Sequence, residues 1–354
     1  MRIFAPDFSE NFRCLGGVCP DNCCRQGWQI DIDEAHLAQY RALPGELGER
    51  VRAAITQDGL KMERGVCALL DEDGLCPIVK ALGEDGLCRI CHTHPRFIEQ
   101  YGGVREIHYS LSCPEAARLS LARSEPISFT ETVTDEPITE PNEIDPDEYL
   151  ALMQLRKFAI QLMQQRRIPI RDRLALLISF SVKVQRLLDG KRYGSIKPLC
   201  RLYKSADYRR RILTRYRRIR KRGASFLPDI TLLRTPNALT KEFPRFLQKA
   251  VFTRNESTPF DRENEVNLEH LTVLWLAHYI PKAVNDGNAA TKIRFAAYLT
   301  LCARRLCVCT GEEIAHISGL LAKEIEHNSE TVSLFYKTFE NPFWAKHMIA
   351  QLEE

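Results

Sequence analysis

Cysteine is the residue type in this chain whose spacing most clearly points to chemistry. Nine of its 13 cysteines lie at or before position 113. Clustered thiols in a reducing compartment more often bind metal than form disulfides, and both zinc and iron–sulfur clusters take thiolate ligands. We therefore predict a metal centre in this part of the chain. Its candidate ligands are Cys14, Cys19, Cys23, Cys24, Cys67, Cys76, Cys88, Cys91 and Cys113.

A short repeat places two of these cysteines directly after turns. Residues 72–76 read Glu-Asp-Gly-Leu-Cys, and residues 84–88 repeat the same five letters. Asp-Gly favours a tight turn because glycine tolerates positive φ. The repeat therefore predicts that Cys76 and Cys88 are each presented from a turn.

The spacing leaves the identity of the metal open. Zinc sites usually pair two short Cys-x2–4-Cys knuckles, and Cys88/Cys91 is the one clean knuckle of this kind. An iron–sulfur cluster needs about four thiolates and tolerates irregular spacing. His92 and His94 follow the knuckle so closely that we expect them to be exposed or to support the ligands rather than to bind metal.

The first residues and the apolar stretches of the chain indicate the cellular compartment to expect. The first residues have no apolar core of a secretory signal, and the longest apolar runs are about half of what a bilayer requires. We therefore expect a cytoplasmic protein, with peripheral contact to the inner face of a membrane left open.

The cysteine motifs resemble those of the bacterial flagellin lysine-N-methylase family. The matching stretches lie between residues 12 and 117: Cys14-x4-Cys19-x3-Cys23-Cys24-x3-Trp28, Cys67-x8-Cys76, Cys88-x2-Cys91-x3-Pro95-Arg96 and Leu111-Ser-Cys113-Pro. The same region is also similar to small Cys-rich domains that chelate zinc or iron. The remainder resembles the family in length and in its helical, basic character.

This resemblance implies a specific activity. Family members methylate lysine side chains of flagellin with S-adenosylmethionine, and their Cys-rich region is thought to hold an oxygen-sensitive 4Fe–4S cluster. Four of the nine candidate cysteines would then ligate each cluster, and the alternative metal is zinc.

Two motifs of familiar methyltransferases are missing from the sequence. There is no strand-borne Gly-x-Gly-x-Gly loop, and Cys19-x3-Cys23-Cys24 differs from the Cys-x3-Cys-x2-Cys motif of radical S-adenosylmethionine enzymes. The sequence therefore identifies neither a donor site nor catalytic residues. It also leaves polar and radical mechanisms open.

The pattern of helix and turn signals divides the chain into three parts. Residues 1–123 read as a Cys-rich domain with few short strands, residues 124–144 as an acidic Pro/Thr-rich linker, and residues 145–354 as a basic helical domain. Asp145, Pro146 and Glu148 mark a helix start. We predict a mainly α fold. The predicted helices span 34–43, 48–55, 149–166, 171–188, 238–250, 266–280, 289–309, 312–326 and 330–352.

Charge is divided unevenly along the chain. Residues 1–150 carry 14 Lys and Arg against 27 Asp and Glu, whereas residues 151–354 carry 36 against 19. The basic excess peaks at residues 201–222, from Arg201 to Arg222, where Asp207 is the one acid. This segment reads equally as a solvated helix face or as a contact for an acidic protein, another copy of the chain or a membrane. Nucleic acid is disfavoured because the acidic half would repel phosphate.

Two functions from different classes fit these observations. The first is transfer of methyl groups from S-adenosylmethionine to flagellin lysines, with dependence on a 4Fe–4S cluster. The second is a non-catalytic zinc- or iron-binding adaptor that presents its basic helix to an acidic partner.

Overall fold

Fifteen α-helices account for most of the residues that the structure describes, which confirms the mainly α prediction. The computed structural model describes residues 1–138, 144–220, 230–234, 238–253, 262–350 and 352. As predicted, a loop-rich N-terminal part precedes a part that is helical throughout its described residues.

Eight strands lie in the N-terminal part. They are β1 (Arg2–Pro6), β2 (Ile55–Thr56), β3 (Gly59–Leu60), β4 (Met62–Glu63), β5 (Val66–Cys67), β6 (Arg96–Tyr101), β7 (Val104–Tyr109) and β8 (Phe129–Val133). Four of them form one mixed sheet in the order β6–β7–β1–β8. In this sheet β1 runs parallel to β7 and antiparallel to β8, while β6 and β7 form a hairpin. The sheet is larger than the few short strands expected from the sequence.

The predicted linker is partly ordered into this sheet. Its residues Phe129–Val133 form β8, which pairs with β1 from Phe129 opposite Pro6 to Val133 opposite Arg2. Ile127, just before the strand, is buried. This stretch of the linker is therefore an extended edge strand with mostly exposed side chains, and its alternate Thr and Val residues suit that position. Residues 139–143 of the linker lie outside the described residues.

Five short helices complete the N-terminal part. The predictions at 34–43 and 48–55 are confirmed, although the second helix begins at Gly45, directly after Pro44. The side chain of Asp33 caps the first helix by accepting the amide of His36. The five helices of the N-terminal part are α1 (Glu34–Ala42), α2 (Gly45–Ala54), α3 (Pro77–Leu82), α4 (Arg89–Thr93) and α5 (Pro114–Leu121).

Ten helices follow the linker. The predicted start is confirmed: the Asp145 carboxylate accepts the amides of Asp147 and Glu148. The helices are α6 (Pro146–Met163), α7 (Ile170–Asp189), α8 (Ile196–Lys204), α9 (Ala206–Arg220), α10 (Glu242–Phe252), α11 (Arg262–Tyr279), α12 (Ala289–Thr310), α13 (Ile314–Leu321), α14 (Ser329–Glu340) and α15 (Phe343–Ala350).

The last two predicted helices are each interrupted. The predicted helix 312–326 is α13 followed by a π-helical turn over Ala322–Glu326. The predicted helix 330–352 breaks between α14 and α15, because Pro342 has no amide and disfavours helical geometry in Asn341.

Buried apolar residues form two separate cores. The small core joins Ile30, Tyr40 and Leu69 to buried cysteines of the N-terminal part. The large core packs the helices after Asp145 against residues of the N-terminal part such as Phe8 and Leu111. Cys302 and Cys309, seven residues apart in one helix, both lie in the large core. The predicted domain boundaries remain a prediction, although the large core crosses the linker.

Two buried carboxylates are held by arginines inside the large core. Glu106 accepts from Arg156 at 2.6 Å, which ties β7 to α6. Glu269 accepts from Arg173 at 2.6 Å and from Arg166 at 2.9 Å, which ties α11 to α7. Among the described residues, no helix is long and apolar enough to cross a membrane.

The ion pairs of Glu269 with Arg173 and Arg166 should contribute strongly to the stability of the helical half. Replacing Glu269 with Gln leaves the Arg173 guanidinium, 1% exposed, without its counter-charge. We expect the free energy of unfolding to fall by about 3–5 kcal/mol, the usual cost of an unpaired buried charge. Urea denaturation under anaerobic conditions measures this loss. The exposed Glu263→Gln on the same helix is the control and should stay within about 0.5 kcal/mol of the parent; equal losses in both variants would contradict this account.

Candidate metal centre and aromatic cleft

Six of the nine predicted ligand cysteines converge on one place, which we call the thiol centre: Cys23, Cys24, Cys67, Cys76, Cys88 and Cys91. The thiols of Cys23 and Cys24 are hydrogen-bonded to each other, and so are those of Cys88 and Cys91. The two pairs also influence one another electrostatically, and Cys67 and Cys76 act on Cys24. Thiols that are far apart in sequence therefore lie close enough to influence one another.

Turns and helix starts position these thiols. Asn22 holds the turn of Cys23 and Cys24 by accepting the Cys24 amide and donating to the carbonyl of Gly74. Cys76 and Cys88 each stand directly before a short helix, α3 and α4. Both follow the repeated Asp-Gly motif, so the predicted presentation from turns is confirmed.

A buried tyrosine holds the second thiol pair. The Tyr40 hydroxyl donates to the carbonyl of Gly86 at 3.0 Å and accepts the amide of Cys88 at 2.6 Å. Tyr40 is fully buried in the small core. The position of Cys88 therefore depends on how α1 packs.

Hydrogen bonding within each pair makes one thiol more acidic than the other. The bond from Cys24 lowers the pKa of Cys23 to about 7, and the bond from Cys91 lowers the pKa of Cys88 to about 7. Sharing that same proton, together with burial, raises the pKa of Cys24 and of Cys91. Each pair thus offers one thiolate near neutral pH, the form that binds metals.

The remaining three predicted ligands form a neighbouring group. Burial first, and then the proximity of Cys19 and Cys14, raises the pKa of Cys113 to about 11. Burial raises the pKa of Cys19 as well, and the neighbouring Cys23 and Cys14 also act to raise it. Cys14, Cys19 and Cys113 therefore form a group that adjoins the thiol centre through Cys19 and Cys23.

The donor chemistry of the thiol centre fits a thiolate-bound metal or cluster. All 13 cysteines are free thiols. Within the described residues, no three side chains of His, Cys, Asp or Glu already stand in a metal-ligating arrangement, so ligation would require the thiols to reorient. His92 is exposed, as predicted, whereas His94 packs against Trp28 with ring centroids 5.2 Å apart.

An aromatic cleft adjoins the thiol centre and joins the two parts of the chain. We define it by Trp28, His94, Phe97 and His327. The ring of His327 lies 4.5 Å from that of Trp28 and 5.5 Å from that of Phe97. His327 is exposed, while the other three are half-buried. The cleft is thus open to solvent on the side of His327.

Contacts on both sides hold His327 in this cleft. Its Nε2 lies 2.9 Å from the Ser110 hydroxyl and 3.1 Å from the Ser112 hydroxyl, both of them buried. Four residues earlier, Lys323 makes an ion pair with Asp21 of the cysteine-bearing loop. The segment that follows α13 therefore touches both the sheet and the thiol-bearing loop.

Behind the cleft lies a small cavity with room for about one water molecule. Phe97, Trp275, His278 and Glu326 are among the residues that line it. The Nδ1 of His278, a residue only 5% exposed, has no hydrogen-bond partner among the described residues. Burial lowers the pKa of His278 well below its usual range, so this imidazole is neutral.

Glu326 is the titratable carboxylate of this cavity. The Tyr279 hydroxyl donates to its Oε1 at 2.9 Å. Glu326 keeps some contact with solvent but is surrounded by protein on nearly every side, and this burial raises its pKa to about 7. A carboxyl that titrates near neutrality in an aromatic cavity is typical of functional sites.

Sequence reasoning did not find this site. No ligand-like spacing connects His278 and His327 in the sequence, so the sequence alone gives them ordinary packing or surface roles. Helix α11, the π-helical turn and the β6–β7 hairpin bring the residues together from distant parts of the chain. The one local signal was Trp28, which lies within the cysteine motifs.

The basic segment forms two helices, α8 and α9, with most of its charges in solvent. The side chains of Arg201, Lys204, Arg210, Arg211, Arg215 and Arg217 are exposed. The apolar side of α9, which carries Ile212, Leu213 and Tyr216, packs against the large core. The side chains of Arg218 and Arg220, and the whole of Lys221 and Arg222, lie outside the described residues. Contact with a partner, a second copy or a membrane stays a prediction.

The Tyr40 hydroxyl should be needed for a well-ordered thiol centre. Tyr40→Phe leaves the buried amide of Cys88 without its acceptor, so we expect a loss of about 1–3 kcal/mol in unfolding free energy. We also expect weaker retention of bound metal, measured by metal analysis after dialysis against a chelator. Tyr193→Phe, which removes a half-buried hydroxyl from the other half of the chain, is the control. Unchanged stability and metal content in Tyr40→Phe would disprove this role.

The helical half matches a known family. A family model described as the FliB lysine N-methylase C-terminal domain matches residues 156–350, from within α6 to the end of α15. The match covers more than half of the chain. It lies outside residues 12–117, whose cysteine motifs first suggested the resemblance.

Curated relatives are similar to parts of the chain. The flagellar biosynthetic protein FliU of Salmonella muenchen is 31% identical over 128 residues, which cover 32% of this chain and 73% of FliU. Lysine-N-methylases of Salmonella choleraesuis and Salmonella typhimurium are each 28% identical over 144 residues, which cover 36% of this chain. The chain spans only 35% of the length of these two lysine-N-methylases.

No solved structure matches this chain. The family assignment therefore rests on the sequence of the helical half and agrees with the prediction from the cysteine motifs. Because the family model spans most of the residues after the linker, this chain belongs to the family of FliB lysine N-methylase C-terminal domains.

Proposed function

We propose that this chain transfers methyl groups from S-adenosylmethionine to lysine side chains of flagellin. The family match over residues 156–350 carries this proposal, together with two relatives that are named lysine-N-methylases. A third relative is named a flagellar biosynthetic protein, which supports a substrate of the flagellum. We place the reaction in the cytoplasm, where thiols remain reduced.

The thiol centre is proposed to hold a 4Fe–4S cluster, with zinc as the alternative. A cluster requires about four thiolates, and the thiol centre has six cysteines. Each hydrogen-bonded thiol pair would offer a thiolate to the metal. When bound, such a cluster supplies redox capacity and an electrophilic iron; zinc supplies a Lewis acid and structural support.

The chain itself must make the acceptor lysine reactive. An ε-ammonium carries no lone pair, so the amine attacks a methyl sulfonium only after it has lost a proton. The aromatic cleft supports this task because its half-buried rings exclude water around an entering side chain. Its walls come from Trp28 of the cysteine-bearing loop and His327 of the family-matched half, so both parts of the chain contribute.

The donor is proposed to bind without the usual Gly-rich loop. In the described residues, the four-stranded sheet is mixed and carries a β6–β7 hairpin rather than parallel strands followed by helices. Dinucleotide-type folds bind ligands at the carboxyl ends of parallel strands. We therefore look for the donor near the thiol centre and the cleft.

The adaptor hypothesis is favoured by one observation. The buried cysteines Cys67 and Cys88 are part of the small core. Bound metal would therefore also stabilise a fold that has little other apolar packing. Metal would then be needed for folding but not for chemistry. The first test below separates the two functions.

Methyl transfer should depend on the thiol centre. Incubation with labelled S-adenosylmethionine and flagellin under anaerobic conditions should place label on lysine ε-nitrogens, and exposure to air should reduce the rate. Cys91→Ser should lower both bound iron and methyl transfer, because it removes one thiol of the hydrogen-bonded pair Cys88 and Cys91. Cys307→Ala, on α12, is the matched control and should retain both. Label transfer by metal-free protein at the full rate would show that the thiols only support the fold.

The exposed arginines of α9 should attract an acidic partner. Reversal of Arg210, Arg211 and Arg215 to Glu should weaken binding of flagellin and leave bound metal unchanged, since these side chains are exposed and the apolar side of α9 is unaltered. Binding by the parent should fall as salt is raised, because surface charges are screened over about 8 Å at physiological ionic strength. Binding that is insensitive to salt in the parent protein would exclude this electrostatic role. Vesicles of anionic lipid test the membrane alternative.

A further inference from the structure

We propose that Glu326 is the anionic end of a binding site for a primary ammonium group, the ε-ammonium of the acceptor lysine, and that it takes a proton from this group. This inference rests on the proposed methylation of lysine and specifies how the acceptor is held. It assigns the cavity behind the aromatic cleft to the substrate rather than to packing.

The first observation is that Glu326 lacks a cationic partner. Within the described residues, no Lys or Arg nitrogen lies within ion-pair distance of its carboxylate, and the two side chains that donate hydrogen bonds to it, Tyr279 and Trp275, are neutral. The nearby Lys282 is engaged by Glu99 at 2.6 Å. By contrast, the buried carboxylates Glu106 and Glu269 are both paired with arginine. A largely buried carboxylate without a counter-charge is costly, and a cationic ligand would relieve that cost.

The second observation is the size and lining of the cavity. It has room for about one water molecule, which is also the approximate size of an ammonium group. Phe97 and Trp275 contribute aromatic walls, and aromatic rings attract cations. His278 adds a neutral imidazole whose Nδ1 has no partner among the described residues although the side chain is almost fully buried. The cavity therefore offers a carboxylate, an unpaired imidazole nitrogen and aromatic rings to a single cation.

The third observation is the route to the carboxylate. Glu326 retains some solvent contact, and His327, the next residue, is exposed at the edge of the aromatic cleft. A lysine side chain that enters there would lay its methylenes along Trp28 and Phe97 while its ammonium reaches the cavity. Such division between an apolar stem and a charged tip is usual for lysine.

The backbone around Glu326 also departs from ordinary helix. Residues Ala322–Glu326 form a π-helical turn, a feature that frequently occurs at functional sites. Glu324 in the same turn accepts the amides of Leu239 and Thr240 at 2.9 and 2.8 Å, and Lys323 pairs with Asp21. These contacts anchor the turn on two sides, so the carboxylate of Glu326 is held in place.

Several titratable groups face Glu326 from the elements packed around it. Burial raises the pKa of Glu326 and outweighs the hydrogen bonds from Tyr279 and Trp275 and the charge of Lys282, which lower it. The neutral His278 and the unpartnered hydroxyl of Tyr336 lie close by without adding charge. The groups to consider are thus Tyr279 and His278 of α11, Lys282 after it, His108 of β7, Tyr336 of α14 and the adjoining His327.

The proposed step balances without any further reactant. The Glu326 carboxylate accepts a proton from the lysine ammonium, which leaves a neutral amine and a neutral carboxylic acid. The amine lone pair then forms the N–C bond to the donor methyl as the C–S bond breaks, and the thioether leaves with the bonding pair. The product is a methylated ammonium, and Glu326 returns its proton to solvent when the product departs.

The experiment uses the full chain, loaded with metal under anaerobic conditions, with labelled S-adenosylmethionine and flagellin. Glu326→Gln keeps the shape of the side chain but removes the base, so we expect methyl transfer to fall by about 10²–10⁴-fold. Glu330→Gln, an exposed carboxylate near the start of α14, is the matched control and should transfer at the parent rate. Transfer by Glu326→Gln at the parent rate would overturn the proposal.

Tyr279→Phe gives a second test, because a purely structural role of Glu326 would not produce the shift in pH dependence that we expect. The parent rate should fall on the acidic side with an apparent pKa near 7, because the base must be ionised. Tyr279 lowers the pKa of Glu326, so removing its hydroxyl should move this acidic limb to higher pH. The ¹³C resonance of the Glu326 carboxyl should shift in the same direction, and this readout does not require activity. An unmoved limb and resonance would contradict the assignment.

The two proposals fail in different ways. If the parent protein transfers no methyl to lysine, the proposed function fails, whatever the variants do. If the parent is active and Glu326→Gln is equally active, the function stands and the ammonium site is wrong.

Discussion

The burial of Glu106 is the constraint on which the meeting of the two parts of this chain depends. A carboxylate with no exposed surface is expensive, and it persists here because Arg156 donates to it at 2.6 Å and His108 lies 3.0 Å away. Burial alone would raise the pKa of Glu106, but His108 and the charge of Arg156 outweigh it and lower that pKa. The pair ties β7 to α6. As a consequence, the end of β7 and the serines that follow it lie against α11 and the π-helical turn.

That arrangement explains why the aromatic cleft forms where it does. Ser110 and Ser112 hold the imidazole of His327, and the same turn carries Glu326 into the cavity beside Tyr279. Trp28 closes the cleft from the cysteine-bearing loop. The family-matched helices therefore contribute one wall and the Cys-rich part the other.

The thiol centre follows a different logic, because local turns rather than a large core position its ligands. Asn22 and Tyr40 fix the cysteine-bearing segments through hydrogen bonds, and the small core offers few apolar contacts beyond Leu69 and its neighbours. The metal proposed for the thiol centre would therefore supply much of the stability of such a module. The pairing of thiols within the centre keeps one member of each pair close to the thiolate form, which suits metal binding at neutral pH.

The sequence by itself determined the features that depend on neighbouring residues. Asp145 with Pro146 marked a helix start, the repeated Asp-Gly marked the turns before Cys76 and Cys88, and the cysteine motifs pointed to the family. It could not show the four-stranded sheet, since β1 pairs with strands about a hundred residues away. It also could not show which cysteines lie near one another, or bring Glu326, His278 and Phe97 to one cavity. Only the tertiary structure decided these, because periodicity and turn signals report local geometry, whereas a site is made by contacts between distant segments.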